Sequence, residues 1–248
     1  MKATRAPMTL AVDVGGTGVK ASVLDAAGKM CVPRVRVPTP DPCRPDILLQ
    51  AIADLVAQLP AFDRISIGFP GVIRDGKTIT APHFDEGEWR NFPLAQAASR
   101  RFGKPARLLN DAEVQGLGII AGQGTGRGLE VVLTLGTGVG SAVFHDGVLA
   151  PHLELSVHPI GRGKKTYNDY VGELARHEVS ARKWNRRVRK VIAIVDLLLH
   201  YDVLYLGGGN AAKLDADLPG NVRIASNDTG ITGGIHLWDA TFDAHKTS

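Results

Sequence analysis

The sequence predicts an α/β protein built from two lobes, with mixed sheets and a cleft between the lobes. Each half of the chain opens with an apolar strand, a turn of glycine and threonine, and a returning strand: DVGGTGVKASV in the first half and TLGTGVGSAV in the second. Helical and strand-like segments alternate after both hairpins. This approximate duplication predicts lobes at residues 1–109 and 110–248, with the last helix packing back on the first lobe.

Hydrophobic spacing defines the elements of the first half. Met8–Asp13 and Val19–Leu24 are predicted to pair as a hairpin. Apolar residues recur at helical spacing from Ile47 to Leu59, which predicts an amphipathic helix that ends before Pro60. The proline-rich segment 33–45 is predicted to be a loop. The remaining elements expected in this half are a strand at Arg64–Phe69, a helix at Pro93–Phe102, a strand at Ala106–Leu109 and a helix at Ala112–Ala121.

The second half repeats this style. Glu130–Leu135 and Ser141–Phe144 are predicted to form its hairpin. The later elements expected are helices at Tyr167–Val179 and Lys183–His200, strands at Val203–Leu206 and Val222–Ala225, and a closing helix at Gly230–Trp238 capped by Ser226, Asn227 and Asp228. The apolar residues of the long helix are interpreted as core rather than as a dimer contact: Val188, Ile192, Val195 and Leu199.

Composition excludes several classes of protein. The chain has 248 residues, of which 44% are hydrophobic and 22% charged, which is enough to bury a sizeable core. It has no uninterrupted apolar run of about 18 residues for a membrane span and no typical secretory signal. Its two cysteines, Cys31 and Cys43, form no CxxC pair. This argues against a disulfide scaffold or structural zinc site and favours a cytoplasmic location.

Glycine clusters at strand ends are the first candidate chemistry. A glycine turn lets backbone N–H groups approach a phosphate without an intervening side chain, and both turns also supply a threonine hydroxyl. Asp13, just before the first turn, suits a carboxylate that holds Mg²⁺ through water, or one that only caps the turn. The run from Gly207 to Gly209 would let a nucleotide or polyphosphate lie on the backbone. Neither a dinucleotide fingerprint nor a Walker lysine motif is present.

Acidic residues supply the second candidate chemistry. Asp111, beside Asn110 at a strand end, can accept the proton of a hydroxyl that attacks a phosphoryl group, or can cap the next helix. Glu154 in HLELSVH follows the second glycine turn and is either a second functional acid or an exposed loop carboxylate.

The net charge of +4 favours an anionic partner. The basic residues fall into three groups, which are either solvated faces or a polyanion site: Arg100, Arg101, Lys104 and Arg107; Arg162, Lys164 and Lys165; and Arg182, Lys183, Arg186, Arg187, Arg189 and Lys190.

Five motifs, spread over nearly the whole chain, resemble the ROK family of sugar kinases in the actin-like ATPase superfamily. They are DVGGTGVK (13–20), GFPGVI (68–73), LNDAEVQGLG (109–118), LTLGTGVGSAV (133–143) and LYLGGGNA (204–211). Within that family the polyphosphate glucokinases are the most similar. The resemblance implies the two-lobed actin-like (ribonuclease H-like) fold, with Mg²⁺ as cofactor and ATP or polyphosphate as donor.

The resemblance also implies roles for individual residues. Asp111 matches the catalytic base, Asn110 a sugar ligand, and Glu154 the glutamate of the family's E-x-G-H motif, which binds sugar hydroxyls. Three loops match those that hold the phosphates or the nucleotide: Gly15, Gly16, Thr17 and Gly18 with Lys20; Gly136, Thr137 and Gly138; and Gly207, Gly208 and Gly209.

The chain departs from the family at two sugar-binding positions. Val157 stands where E-x-G-H has its histidine, with His158 one place later as a possible substitute, and Ser156 replaces the glycine. His83, in APHFDEGEW, stands where an asparagine is expected. The family's zinc-binding cysteines are also missing, as they are in polyphosphate glucokinases.

The resemblance therefore implies a homodimeric kinase that transfers a phosphoryl group from polyphosphate, ATP or both to the 6-hydroxyl of glucose. The alternatives are an ATP-dependent kinase for another hexose or amino sugar, and a sugar-binding relative without catalysis. The family also includes transcriptional repressors. Only about seven residues precede the first predicted strand, too few for a helix-turn-helix, so we expect no nucleic-acid partner and no membrane association.

Overall fold

The chain divides into two compact units. The computed structural model describes residues 5–82, 84, 86–161, 163–215, 217–226 and 228–239. The first unit comprises Met1–Gly118 and Asp228–Ser248, and the second comprises Ile119–Asn227. The lobes drawn from the sequence, 1–109 and 110–248, are bounded differently, and that division stays a prediction.

A five-stranded mixed sheet forms the centre of the first unit. Its strand order is β3-β2-β1-β4-β7, and two short strands pair separately as β5 and β6. The strands are β1 (Thr9–Val14), β2 (Val19–Leu24), β3 (Val35–Val37), β4 (Arg64–Phe69), β5 (Ile73–Arg74), β6 (Lys77–Thr78) and β7 (Ala106–Asn110). The helices that begin in this unit are α1 (Pro45–Val56), α2 (Glu86–Trp89), α3 (Leu94–Phe102), α4 (Asp111–Gln123) and α8 (Thr229–Thr232).

Strand direction decides where the polar residues of this sheet lie. β1 pairs antiparallel with β2, and β2 with β3, whereas β1, β4 and β7 run parallel to one another. The carboxyl ends of these three parallel strands therefore share one edge of the sheet. Asp13 lies at the end of β1, and Asn110 is the last residue of β7.

The core of the first unit lies between this sheet and its helices. α1 buries Leu48, Ile52 and Leu55 completely, as its helical spacing predicts. Trp89 is also fully buried, and its indole Nε1 donates to the backbone oxygen of Cys43 at 2.7 Å. Burial raises the pKa of the Cys43 thiol to about 11, so this thiol is uncharged at neutral pH.

The segment Gly233–Trp238, a 3₁₀ helix, packs on the same sheet. A Cβ atom on Gly233 would lie 2.0 Å from the backbone oxygen of Val114 in α4, so only glycine allows this approach. Trp238 lies under the guanidinium groups of Arg64 and Arg107, at 5.0 Å and 4.3 Å from its ring. Such contacts stabilise a ring that is only partly buried.

The second unit repeats the order of the first sheet. Its five strands lie in the order β10-β9-β8-β11-β12, with an antiparallel hairpin followed by two parallel neighbours. The strands are β8 (Leu129–Leu135), β9 (Val139–His145), β10 (Val148–Leu149), β11 (Val203–Gly207) and β12 (Val222–Ile224), and the helices are α5 (Tyr167–Val171), α6 (Glu173–His177) and α7 (Ala181–Leu199). The predicted duplication is thus present in the topology of the two sheets.

The interpretation of α7 as a core helix is confirmed. Val188, Ile192 and Val195 are at most 3% exposed, and Leu199 is half-buried. Trp184 is buried beside them and donates its indole N–H to the Val171 oxygen at 2.9 Å.

Three local predictions were wrong. The helix expected over 167–179 is interrupted because Gly172 has an extended backbone, with φ −64° and ψ 177°. The expected closing helix is one α-helical turn followed by the 3₁₀ segment, and Asp228 pairs with Arg34 at 3.1 Å instead of capping through its side chain. Part of the predicted loop 33–45 forms β3, which lies at the edge of the sheet and pairs with β2.

A buried carboxylate organises one corner of the second unit. Glu130 is fully buried. Its oxygens accept from the backbone N–H groups of Thr125 at 2.8 Å and Gly126 at 3.2 Å. The hydroxyl of Tyr205, also fully buried, lies 3.0 Å from Glu130 Oε1 and 2.9 Å from the Gln123 oxygen. These bonds compensate for the removal of a charge from water.

Replacing Tyr205 with phenylalanine should lower the free energy of unfolding by about 1–2 kcal/mol, because a buried hydrogen bond to a carboxylate is lost. Denaturant unfolding measures this change. Tyr170→Phe is the matched control, since that ring is only half-buried, and its effect should stay within about 0.5 kcal/mol. Equal effects of the two variants would contradict the role given to the Glu130 network.

Candidate active site

The first glycine loop joins β1 to β2. Asp13 and Lys20 face each other across this hairpin, and Lys20 Nζ donates to Asp13 Oδ2 at 2.9 Å. Their side chains are 17% and 30% exposed, respectively, so the pair is accessible to a small ligand. A carboxylate beside an ammonium next to a glycine loop can interact with both a cation and the phosphate oxygens that accompany it.

Hydrogen bonds hold this loop in one conformation. Gly15 N–H donates to the Gly18 oxygen at 3.0 Å, and the Thr39 hydroxyl donates to the Gly15 oxygen at 2.6 Å. Arg36, from β3, donates to the Thr17 oxygen at 3.1 Å. A Cβ atom on Gly18 would lie 2.5 Å from Arg36 Nε, so glycine is what admits this guanidinium. Gly16, the remaining predicted residue, lies in the same loop.

Asn110 caps α4. Its Oδ1 accepts from the N–H groups of Ala112 at 2.9 Å and Glu113 at 3.2 Å, and its Nδ2 donates to the Gly71 oxygen at 3.1 Å. These bonds use both lone pairs and one of the two N–H donors of the amide. Asn110 is 5% exposed, so one N–H at most is left for a ligand. The cap function that the sequence left open for Asp111 is supplied mainly by Asn110.

Asp111 is the first residue of α4 and is half-buried. Its Oδ1 accepts from the Ala112 N–H at 2.9 Å. Gly68 of β4 lies close to this position: a Cβ atom there would be 3.3 Å from Asp111 Cα, a contact tighter than usual.

The sheet fixes the spacing between Asp13 and Asp111, the two candidate site aspartates of the first unit. Asp13 is in register with Gly68, and Gly68 with Leu109, two residues before Asp111. Two strand spacings separate β1 from β7, which is about 10 Å. The carboxyl ends of the parallel strands therefore carry Asp13 on β1, paired with Lys20 of the neighbouring β2, and a second carboxylate, Asp111, just beyond β7.

In the second unit, the loop 136–138 joins β8 to β9. Gly136 N–H donates to the Gly138 oxygen at 2.9 Å. The corresponding bond in the first loop joins Gly15 N–H to the Gly18 oxygen. Asn168 Oδ1 accepts from Val139 N–H at 2.7 Å, and a Cβ atom on Gly138 would lie 2.6 Å from that oxygen. Thr137 lies between the two glycines.

The third glycine loop follows β11. Gly208 has φ +81°, and a Cβ atom there would lie 2.4 Å from the Leu135 oxygen, so no other residue fits without strain. Gly207 is the last residue of β11, next to Thr134 of β8. A Cβ atom on Gly136 or Gly209 would meet no described heavy atom within 4 Å. The backbones of both loops therefore have space beside them for a ligand.

Glu154 is held by its own loop. Its Oε1 accepts from Ser156 N–H at 3.0 Å, and its Oε2 lies 3.4 Å from His152 Nε2. Burial by itself raises the pKa of Glu154, but the hydrogen bonds from His152 and Ser156 outweigh burial and hold that pKa below its ordinary value. Glu154 is thus an anion at neutral pH. Sequence reasoning missed His152, whose place two residues before Glu154 was the available signal.

His158 is the predicted substitute for the family's histidine. His158 is exposed, and its ring centroid lies 5.9 Å from that of Tyr167. Val157 is 51% exposed, an unusual position for a valine. His83 lies outside the residues that the structure describes.

Some residues of the three basic groups make contacts within the protein. Arg187 and Lys190 contact the ring of Tyr170, and Arg189 pairs with Asp215 at 2.8 Å. Arg162 lies outside the described residues. Within the described ranges, no group of three His, Cys, Asp or Glu side chains is arranged to hold a metal, and no helix is long and apolar enough to cross a membrane.

Comparison with known proteins decides the family. The sequence profile of the ROK family matches residues 9–151. The chain belongs to the ROK family. The α/β fold with mixed sheets is the actin-like ATPase fold that the sequence predicted, and a solved ROK structure described next shares it.

Two relatives and one solved structure are similar to this chain. The polyphosphate glucokinase of Mycobacterium tuberculosis (strain CDC 1551 / Oshkosh) is 30% identical over 213 residues, covering 84% of this chain and 80% of that protein. The N-acetylmannosamine kinase of Escherichia fergusonii is 33% identical over 148 residues, or 57% of this chain and 48% of that protein. The inorganic polyphosphate/ATP-glucomannokinase of Arthrobacter sp. strain KM superposes with a TM-score of 0.85 at 30% identity, covering 94% and 98% of the two chains.

Replacing His152 with alanine should raise the pKa of Glu154, because one hydrogen bond that lowers it is lost while burial remains. NMR titration of the side-chain carboxyl carbons measures this shift, with Glu154→Gln used for assignment. Because the pKa of Glu154 is lowered in the folded protein, its carboxylate stabilises the fold at pH values above its ordinary pKa. This stabilisation is lost as the pH falls through the lowered pKa. The variant should therefore lose the contribution of Glu154 at a higher pH than the wild type.

His145→Ala is the control for this titration, since His145 lies in the same unit and is exposed. The Glu154 carboxyl should titrate as in the wild type in that variant. An unchanged titration in His152→Ala would contradict the pairing of His152 with Glu154.

Proposed function

We propose that this chain is a sugar kinase that transfers a phosphoryl group from polyphosphate, ATP or both to the 6-hydroxyl of glucose. The observation that carries the proposal is the placement of Asp111 beyond β7, on the same sheet edge as the Asp13–Lys20 pair. Family membership supports the reaction class. The names of the two 30%-identical relatives, which include glucokinase and polyphosphate/ATP-glucomannokinase, support the acceptor and the donors.

Asp111 is proposed as the base. Phosphoryl transfer requires positioning and charge neutralisation more than covalent chemistry. A carboxylate in this position can accept the proton of the attacking hydroxyl. Asn110, whose amide is rigidly held, fixes the start of α4 and thereby Asp111. Its remaining N–H is proposed to donate to the sugar.

The donor is proposed to contact the glycine loops, with Lys20 as a cationic partner of its phosphates. Asp13 fits the predicted Mg²⁺ ion, because ions bound with phosphates need only one or two protein carboxylates beside phosphate oxygens and water. When bound, Mg²⁺ supplies neutralisation of donor charge. Asp13 is oriented for such a role by its bond to Lys20, which keeps one carboxylate oxygen in place.

The acceptor side of the proposal rests on Glu154, with His158 and His83 as further sugar ligands. The alternative acceptor is another hexose or an amino sugar. The exposed Val157, at the position of a family histidine, favours this alternative, as does the likeness to an N-acetylmannosamine kinase over part of the chain. The cytoplasmic location and homodimer expected from the sequence belong to the same proposal, as does guidance of polyphosphate by the basic groups.

A product assay tests the donor and the acceptor together. Purified protein with Mg²⁺ should phosphorylate glucose when supplied with long-chain polyphosphate or ATP, in a panel that includes mannose and N-acetylmannosamine. Product from another sugar alone would replace glucose as the acceptor but keep the kinase. Sugar binding, measured by calorimetry, without product from any pair would overturn the kinase and favour a binding protein.

Asp111→Asn should lower kcat by about 100-fold or more, because general-base catalysis is typically worth that much. The KM for the sugar should change little, since the amide keeps the size of the side chain. Asp54→Asn is the matched control, since Asp54 is exposed on α1 and bonds Gln50, and it should keep full activity. Near wild-type turnover in a folded Asp111→Asn protein would remove the proposed base.

A further inference from the structure

The second unit contains a buried amide to which the proposed reaction assigns no role. Asn210 directly follows the third glycine loop and is 3% exposed. Its backbone N–H donates to the Leu135 oxygen at 2.9 Å, and its Nδ2 donates to the Gly136 oxygen at 3.2 Å. Asn210 thus bonds to the last residue of β8 and to the loop 136–138, although it lies at the end of the third glycine loop.

The orientation of this amide is determined by its partners. Nδ2 also donates to Glu173 Oε2 at 2.5 Å, and Oδ1 accepts from Lys213 Nζ at 2.8 Å. The reversed amide would place its oxygen against a carbonyl and a carboxylate, and its NH₂ group against an ammonium. All three contacts would be repulsive, so only the observed orientation satisfies the network.

Glu173 holds the adjoining residue of the second loop. Its backbone N–H donates to the Thr137 oxygen at 3.2 Å. Its carboxylate accepts from Arg176 at 2.9 Å and 3.0 Å and lies 2.8 Å from His177 Nε2. The bonds from Arg176 hold the pKa of Glu173 far below its ordinary value. The bond from Asn210 therefore ends on a full negative charge, which makes it stronger than a neutral one.

We infer that Asn210 is a positioning residue, which with Glu173 sets the second and third glycine loops in the spacing that binds the phosphate chain of the donor. Asn210 holds the Gly136 oxygen, Glu173 holds the Thr137 oxygen, and their mutual bond joins the two anchors. The space beside Gly136 and Gly209 is where a phosphate chain would approach. The inference rests on the proposed function, and it concerns the phosphate chain that ATP and polyphosphate share.

The test is the isosteric variant Asn210→Asp, which loses the Nδ2 donor and sets a carboxylate against Glu173. The KM for ATP and for polyphosphate should rise about tenfold or more, as expected for the loss of a charge-assisted buried hydrogen bond. The KM for the sugar should stay within about twofold, since none of the bonds described for Asn210 and Glu173 reaches a proposed sugar ligand. A purely structural role would instead lower the active fraction, and with it kcat, while both KM values stayed unchanged.

A second variant protects the test against misfolding and provides rescue. Glu173→Gln changes a side chain that is 33% exposed, and it should raise the donor KM in the same direction. In the double variant Asn210→Asp/Glu173→Gln, the new amide can donate to the new carboxylate, so the donor KM should fall below that of Asn210→Asp alone. Asn221→Asp is the control for added charge, because Asn221 is exposed in the same unit.

Equilibrium binding of long-chain polyphosphate and of a non-hydrolysable ATP analogue, measured by calorimetry, separates this inference from the proposed function. Weaker binding in Asn210→Asp, recovered in the double variant, supports the positioning role even if no sugar is phosphorylated. An active wild type whose donor KM is unchanged in both single variants overturns the positioning role and leaves the kinase intact. A wild type that binds neither donor overturns both.

Discussion

The parallel pairing of β1, β4 and β7 is the constraint on which the candidate site depends. Parallel strands end at one edge of a sheet, so Asp13 and Asn110 occupy that edge although they lie far apart in the sequence. Gly68 lies on the strand between them, and a Cβ atom there would be 3.3 Å from Asp111 Cα. A larger residue at Gly68 would therefore press on the first residue of α4.

The second unit uses the same topology with different chemistry. In the first hairpin an aspartate and a lysine face each other across the strands, whereas the equivalent pair in the second is Thr134 and Gly140. The Thr134 hydroxyl accepts from Gly140 N–H at 3.1 Å. The first hairpin therefore carries an ion pair next to its loop, whereas the second has a neutral pair there and takes its anchors from Asn168, Glu173 and Asn210. The two units share the order of their strands but differ in the length of this loop and in the residues next to it.

Much of this arrangement is predictable from the sequence, and the parts that are not have a common physical cause. Strong periodicity gave the β1–β2 hairpin, α1 and α7 within a few residues, since burial alone dictates these patterns. Gly172 interrupts a helical pattern through its backbone angles, which hydrophobic spacing does not report. Sequence pattern does not predict β3, because it is three residues long and lies at a sheet edge, where packing imposes little pattern.

The candidate site, too, is predictable from the sequence only in part. Motif order and glycine clusters identified the loops, because close backbone approach leaves a compositional trace. The side chains of Thr39 and Arg36, which hold the first loop, left no such trace, since they act through tertiary contacts. Asn210 lies within the motif at 204–211, yet its partner Glu173 lies 37 positions away in sequence. A hydrogen bond between such distant residues is a property of the folded sheet order, which no local pattern encodes.

This separation between loop and anchor has a consequence for how the family fold can vary. The glycine loops present backbone groups, which are the same in any sequence, so they do not by themselves discriminate between anionic ligands. Discrimination must come from the side chains that set the spacing of the loops and from the charges around them. Here one of those side chains, Asn210, lies inside the motif at 204–211, whereas its partner Glu173 of α6 lies outside all five motifs. Two proteins that share every glycine motif can therefore differ in donor if the residue at the position of Glu173 differs.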